Sequence, residues 1–147
     1  MEYKELDRQI SKILNLEEGC VFLLRLKKSD NLFEFIYPDE LKGLTVPVIS
    51  HCVTGKAVKH KSPFVLNNYQ GEMDVIYLNC FIMKNTKTSI RKMIAYPICL
   101  AREICAVLLA VRKEYDGSDL QDFLGEDLIK IKSVVDEMLF VRLVKSA

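Results

Sequence analysis

Two apolar segments separated by a short connection constrain the fold of this chain more than any other feature. Residues 103–111, EICAVLLAV, are almost continuously apolar, as expected of a central strand with both faces covered. The segment Arg91–Ile98, RKMIAYPI, precedes them and is separated from them by a brief connection at Leu100–Arg102. The two segments therefore predict a pair of strands, the second of which lies inside a sheet.

Three further strands are predicted from short apolar runs that end at turn residues. They cover Cys20–Leu26, Leu32–Tyr37 and Phe64–Leu66. Together with the first pair they give five strands in one antiparallel sheet, an α/β fold of the α+β type. We expect a single domain over residues 1–147, because a chain of this length buries enough surface for one core and no segment looks like a linker.

Four helices are predicted to cover this sheet. Apolar residues recur at helical spacing in Tyr3–Leu14 and in Phe123–Val144, which become the first and last helices. Pro47 is predicted to open a second helix that continues to His60. A short third helix with an ordered loop is predicted within residues 69–90. The first and last helices are placed on one face of the sheet, so that both termini lie together.

Composition and charge exclude several classes of function. Twenty-one basic and twenty acidic residues leave a formal charge of +1, so no nucleic-acid partner is expected. The polar first residues are not a secretory signal, and no apolar stretch approaches the roughly 18 residues of a membrane span. The five cysteines are scattered and form no C-x-x-C pair, which indicates reduced thiols and a cytoplasmic location.

No pattern in the sequence predicts catalysis, a cofactor or a metal ion. The chain contains no glycine-rich phosphate loop, Walker motif or G-x-S-x-G elbow. His51 and Cys52 are adjacent, so on a helix their side chains point about 100° apart and do not form a nucleophile–base pair. His51, Cys52 and His60 are the nearest approach to a metal-ligand set, and nothing else in the sequence supports such a site. We therefore expect no enzyme.

Several stretches resemble, in order and spacing, the sequence pattern of the GAF family of sensor domains. GKAV at 55–58 followed by PFVLNN at 63–68 is similar to the family's Gly-x-Val-Ala helix, proline, short strand and Asn-Asp pair. Residues 91–98 are similar to its Arg-Ser strand that ends at a proline, and residues 103–108 to its next strand. FLGEDL at 123–128 is similar to the F-T-x-E-D-L opening of its last helix.

The resemblance implies a PAS-like or profilin-like sheet with a ligand pocket on the face opposite the terminal helices. It also implies a non-enzymatic regulatory domain that binds an unidentified small ligand and couples it to dimerisation or to an output domain. In this family the pocket lies between the sheet and the segment that joins the third strand to the fourth, here Asn67–Ser89. The candidate ligand-binding residues are Asn67, Asn68, Tyr69, Asp74, Tyr77, Phe81 and Thr88 in the segment, with Arg91 and Tyr96 on the next strand.

Two specialised groups within the family match this sequence poorly. Cyclic-nucleotide-binding members carry Asn-Lys followed by Phe-x-x-x-Asp-Glu. Here Lys113, Phe123 and Asp127 match, but Arg112 replaces the asparagine and Leu128 replaces the glutamate. Bilin-binding members attach the chromophore to a cysteine commonly followed by histidine, whereas this chain has the reverse order at positions 51 and 52. Neither ligand is therefore expected.

Two alternatives to a ligand sensor stay open. One is a structural dimerisation module without ligand, and the other is a redox or haem sensor that uses Cys52, Cys80 or His51. A homodimer through the terminal helices is predicted from the last helix, because three large apolar residues fall outside its main apolar arc. These residues are Ile129, Phe140 and Leu143.

Overall fold

The structure, a computed structural model, describes residues 2–47, 52–82, 88–115 and 121–146. Four α-helices lie within these ranges: α1 (Glu2–Ile13), α2 (Val53–His60), α3 (Met73–Ile82) and α4 (Gly125–Ser146). The strands are β1 (Val21–Lys27), β2 (Leu32–Tyr37), β3 (Thr45–Pro47), β4 (Phe64–Leu66), β5 (Thr88–Leu100) and β6 (Glu103–Tyr115). Single turns of 3-10 helix cover Lys28–Asp30 and Asp39–Leu41.

The strands form one sheet in the order β3-β2-β1-β6-β5-β4, and every neighbouring pair is antiparallel. β6 is an inner strand that pairs with β1 on one side and with β5 on the other. Its residues Ala106–Val111 are all buried, since both faces of the sheet are covered there. The prediction of one antiparallel sheet is confirmed, with six strands in place of five.

The sixth strand, β3, ends at Pro47, the residue at which the sequence pattern predicts the start of a helix. The prediction that Pro47 opens the second helix is wrong, because Pro47 ends β3 opposite Leu32 of β2. β3 is an edge strand, and such strands accept proline because one of their sides makes no ladder hydrogen bonds. α2 begins instead at Val53, after Cys52. Ile49, the first apolar residue assigned to that helix, lies outside the described residues.

Side chains of the strands alternate between two buried clusters, one on each face of the sheet. On one face, which we call the α2–α3 face, Val53 and Ala57 of α2 and Val75 and Leu78 of α3 cover the strands. On the other, the α1–α4 face, the covering residues are Leu6 and Ile10 of α1 with Ile131 and Val135 of α4. Both terminal helices therefore pack on the same face, as predicted. None of the helices in the described part of the chain is both long and apolar enough to cross a membrane.

α2 ends at Lys61, whose backbone adopts a left-handed conformation that is unfavourable for lysine. Lys61 has φ of 52°, its N–H donates to Val58 O, and the N–H of Ser62 donates to Ala57 O, the Schellman pattern. Glycine adopts this left-handed conformation without the steric cost of a Cβ. Replacing Lys61 by glycine is therefore expected to raise the free energy of unfolding by about 1 kcal/mol, measured by urea denaturation.

Lys42 provides a matched control for this prediction. It is also an exposed lysine that caps a helical turn, but its φ is −53°. Glycine at that position only adds freedom to the unfolded chain, so Lys42→Gly should lower the free energy of unfolding by about 0.5–1 kcal/mol. Equal losses in both variants would show that the left-handed cap carries no strain.

Candidate functional site

The segment that joins β4 to β5 carries α3 across the α2–α3 face of the sheet. Val75 and Leu78 of α3 are fully buried there, and Tyr69, just before the helix, packs against the same cluster. Asn68 and Arg91 are exposed at either end of the segment. The backbones of Tyr77, Phe81 and Thr88 lie in α3 and β5, while their side chains are outside the described part of the structure.

Asp74 connects α3 to the start of α2. Its carboxylate accepts hydrogen bonds from Val53 N at 3.0 Å, Thr54 N at 2.9 Å and Thr54 Oγ1 at 3.0 Å. The two N–H groups belong to the first turn of α2, where backbone donors lack partners inside the helix and favour a negative charge, and the third donor is the Thr54 hydroxyl. Asp74 is buried, with 4% of its surface exposed. The residue predicted to bind a ligand thus joins two helices of the candidate site.

Asn79, a polar residue of the segment that is not among the nine candidate ligand-binding residues, joins the other side of α3 to β5. Its Nδ2 donates to Ile90 O at 3.1 Å, and its Oδ1 accepts from Ile90 N at 2.7 Å. The amide therefore satisfies both backbone groups of one strand residue, as a neighbouring strand would. α3 is held by polar contacts to α2 at its first turn and to β5 further along.

Asn67 makes the same pair of hydrogen bonds, but to a residue on a different part of the fold. Its Nδ2 donates to Phe123 O at 2.9 Å, and its Oδ1 accepts from Phe123 N at 2.7 Å. Phe123 is buried in the cluster of the α1–α4 face. Asn67 therefore connects the start of the candidate segment to the residues that lead into α4.

Tyr96 does not lie with the other candidate residues, and its assignment to the α2–α3 face is corrected here. Its ring packs with Ile94 and Ile98 on the α1–α4 face, because side chains two residues apart along a strand share a face. Burial there raises the pKa of Tyr96, and the nearby carboxylate of Asp136 on α4 acts in the same direction. Tyr96 is thus separated from α3 by the sheet.

The two cysteines nearest the core are shielded from reagents. Cys52 is fully buried at the start of α2, where its Sγ accepts a hydrogen bond from Gly55 N at 2.9 Å. Burial raises the pKa of the Cys20 thiol to about 11, which keeps it protonated at neutral pH. His51 and the side chain of Cys80 lie outside the described residues. Among the residues that the structure does describe, no group of three or more His, Cys, Asp or Glu side chains could hold a metal ion.

Comparison by sequence yields no match to a protein-family model and none to a curated protein. Solved structures match over nearly the whole chain. The second GAF domain of DevS from Mycobacterium smegmatis is 15% identical with a TM-score of 0.61, and the match covers 99% of this chain and 96% of that one. The GAF domain of a two-component sensor histidine kinase from Bacillus halodurans is 15% identical with a TM-score of 0.59, covering 97% of each chain. The chain has the GAF fold.

A third solved structure that matches this chain is a Staphylococcus aureus NreA protein that is mutated in its nitrate binding site. It is 15% identical with a TM-score of 0.52, and the match covers 84% of this chain and 93% of that one. These identities are low, so the GAF fold here rests on backbone geometry. The fold places α3, the helix of the segment between β4 and β5, on the face opposite the terminal helices, as the sequence resemblance predicted, and α2 lies on the same face as α3.

Residues at the positions of the cyclic-nucleotide signature connect parts of the GAF fold to one another. The Arg112 guanidinium lies 4.5 Å from the centre of the Phe123 ring and donates to Leu14 O at 3.2 Å, at the end of α1. The N–H of Leu124 donates to Asp127 Oδ2 at 2.7 Å, as the acidic residue of a capping box does. Each of these contacts is made within the chain.

Proposed function

We propose that this chain is a signal-sensing regulatory domain that binds a small molecule on its α2–α3 face, under the segment from Asn67 to Ser89. The observation that carries the proposal is how α3 is attached. Side-chain hydrogen bonds from Asp74 and Asn79 hold it to α2 and β5, beside buried apolar residues. Small-molecule sites are lined mostly by apolar side chains with a few placed polar groups, and the α2–α3 face brings these two kinds of residue together.

The structural matches support the same class of function. One is a domain of a sensor histidine kinase, and another is a protein with a nitrate binding site. Ligand binding would act on this chain by favouring one of two conformations, which requires that the ligand bind them with different affinity. Asn67 and Asp74 already bind groups of the chain itself. The candidate contacts that remain on this face or in the segment are Asn68, Tyr69, Tyr77, Phe81, Thr88 and Arg91.

Thermal unfolding in the presence of nitrate, nucleotides, amino acids and small organic acids tests this proposal. A ligand at a hundred times its dissociation constant stabilises the native state by about 2.7 kcal/mol. For a domain of this size that free energy raises the midpoint by roughly 5–10 °C. Mass spectrometry of the purified protein would identify a ligand that is retained from the cell.

Two tyrosines on opposite faces provide a matched control for this measurement. Tyr69→Phe removes a hydroxyl from the α2–α3 face, whereas Tyr96→Phe removes one from the α1–α4 face. We expect the ligand-induced shift to shrink in the first variant and to persist in the second. A shift that is lost only in Tyr96→Phe would place the ligand on the α1–α4 face and contradict the proposal. No shift with any compound and no retained ligand would favour a module without ligand.

The second candidate function is homodimerisation through α4, alone or as the output of sensing. Ile129 is 71% exposed, so α1 does not cover it within the chain. At about 100° per residue, positions 140 and 143 lie within about 40° of Ile129 around the axis of α4. A row of large apolar residues along one side of a helix is typical of a helix–helix contact. The side chains of Phe140 and Leu143 are outside the described part of the structure.

A further inference from the structure

Two asparagines in the candidate segment make the same contact with different consequences. Asn79 binds both backbone groups of Ile90, which lies on the same face of the sheet as α3 itself. Asn67 binds both backbone groups of Phe123, whose ring lies on the opposite face. Only the second contact therefore joins the α3 segment to the part of the chain that opens a terminal helix.

Asn67 is placed to follow any movement of the segment. It comes directly after Leu66, the last residue of the three-residue strand β4, and two residues before Tyr69. Leu66 and Tyr69 both pack against the cluster of the α2–α3 face. The backbone at Asn67 is thus held between two side chains that contact the candidate site.

Phe123 in turn lies where both terminal helices are held. Its ring is 2% exposed and contacts the Arg112 guanidinium, which donates to the carbonyl oxygens of Leu14 and Asn15 at the end of α1. The next residue, Leu124, is bound by the Asp127 carboxylate at the start of α4. A shift of the Phe123 backbone would therefore reach the first turn of α4 and the last turn of α1.

We infer that Asn67 is a positioning residue that couples the α3 segment to the start of α4 through its two hydrogen bonds to Phe123. When the segment moves, the amide either carries Phe123 with it or releases it. Release leaves a buried N–H and carbonyl without partners, which favours a new position of this backbone. The inference rests on the proposed function only for the identity of the trigger, since the coupling exists in the protein without ligand.

Hydrogen exchange on the full chain without ligand tests the coupling, with amides of the β1–β6 pair as an internal reference for global unfolding. Asn67→Ala should accelerate exchange at residues 123–128 by about tenfold or more, and leave α3 unchanged. Asn79→Ala, the matched control, removes the same pair of hydrogen bonds at another place, so it should accelerate exchange at Ile90 and in α3 far more than at residues 123–128. Asn67→Asp keeps only the hydrogen bond from Phe123 N, so its exchange rate at residues 123–128 should lie between those of wild type and Asn67→Ala.

A perturbation of the segment separates coupling from a local structural role. Asp74→Ala releases α3 from α2 and should accelerate exchange at residues 123–128 by about threefold or more beyond the internal reference. In the Asn67→Ala background the same substitution should have no further effect there. An equal effect of Asp74→Ala in both backgrounds, or unchanged exchange in Asn67→Ala, would overturn the inference. A failed ligand screen would contradict only the proposed function, because no ligand enters this experiment.

Discussion

Replacing Asp74 by alanine is expected to lower the free energy of unfolding by about 2–4 kcal/mol, measured by urea denaturation. The carboxylate is buried and accepts hydrogen bonds from Val53 N, Thr54 N and Thr54 Oγ1. Alanine leaves these three donors without their partner in a site that water does not reach freely. The first turn of α2 also loses the negative charge that offsets its dipole.

Asp122→Ala is the control for the loss of a carboxylate. Asp122 forms an ion pair with Lys92, but its side chain is 59% exposed. Such surface pairs contribute little, so we expect a loss of about 0.5 kcal/mol or less. Asp74→Asn keeps one acceptor oxygen, so its loss in free energy of unfolding should lie between those of Asp122→Ala and Asp74→Ala. If Asp74→Ala costs no more than Asp122→Ala, Asp74 does not hold α3 to α2, and the attachment argued for the candidate site is wrong.

Replacing Ile129 by aspartate is expected to weaken a homodimer through α4 by about a hundredfold or more in dissociation constant. In a two-fold symmetric contact each substitution acts on both chains, so a single buried charge per chain counts twice. Burying an unpaired carboxylate against an apolar surface costs several kcal/mol. Light scattering across micromolar concentrations should show a wild-type dimer and a monomeric variant.

Two further variants separate the apolar contact from net charge. Ile129→Lys reverses the sign of the added charge and should dissociate the dimer as well. Lys130→Asp adds negative charge about 100° around the helix, on an exposed position, and should leave the dimer intact. A wild-type chain that is monomeric at these concentrations, or an Ile129→Asp variant that still dimerises, would refute the contact.

The inner part of the sheet could be predicted because local pattern and burial agree there. β6 is apolar at every position from Ile104 to Val111, and a run of this kind is typical of a strand covered on both faces. The edge strand β3 could not be predicted in the same way. β3 has three residues, too few for an alternating pattern, and its Pro47 equally suits a helix start. The residues next to Pro47 do not distinguish an edge strand from a helix start, because the strand depends on the long-range pairing of Pro47 with Leu32.

The face of the sheet on which α3 lies could be predicted, but the contacts of the candidate side chains could not. The length and polarity of the segment indicated the region, but its polar groups were expected to face a ligand. Instead, Asn67 binds a residue 56 positions away, and Asp74 binds donors 20 and 21 positions away. Hydrogen bonds between residues so far apart in sequence cannot be predicted from the pattern of neighbouring residues. Tyr96 is different, since counting by two from Ile94 assigns it to the opposite face.

The position of β1 has a consequence for synthesis of the chain on the ribosome. β1 lies between β2, its neighbour in sequence, and β6, with Val21 paired to Ala110 about 90 residues later. The β1–β2 hairpin therefore emerges with one apolar strand edge uncovered. Ala110 follows Tyr37, the last residue of β2, by 73 residues, so at 5–20 residues per second the interval lasts roughly 4–15 seconds. During that interval the nascent hairpin presents an edge for chaperones or for other chains to bind, which the finished sheet hides at its centre.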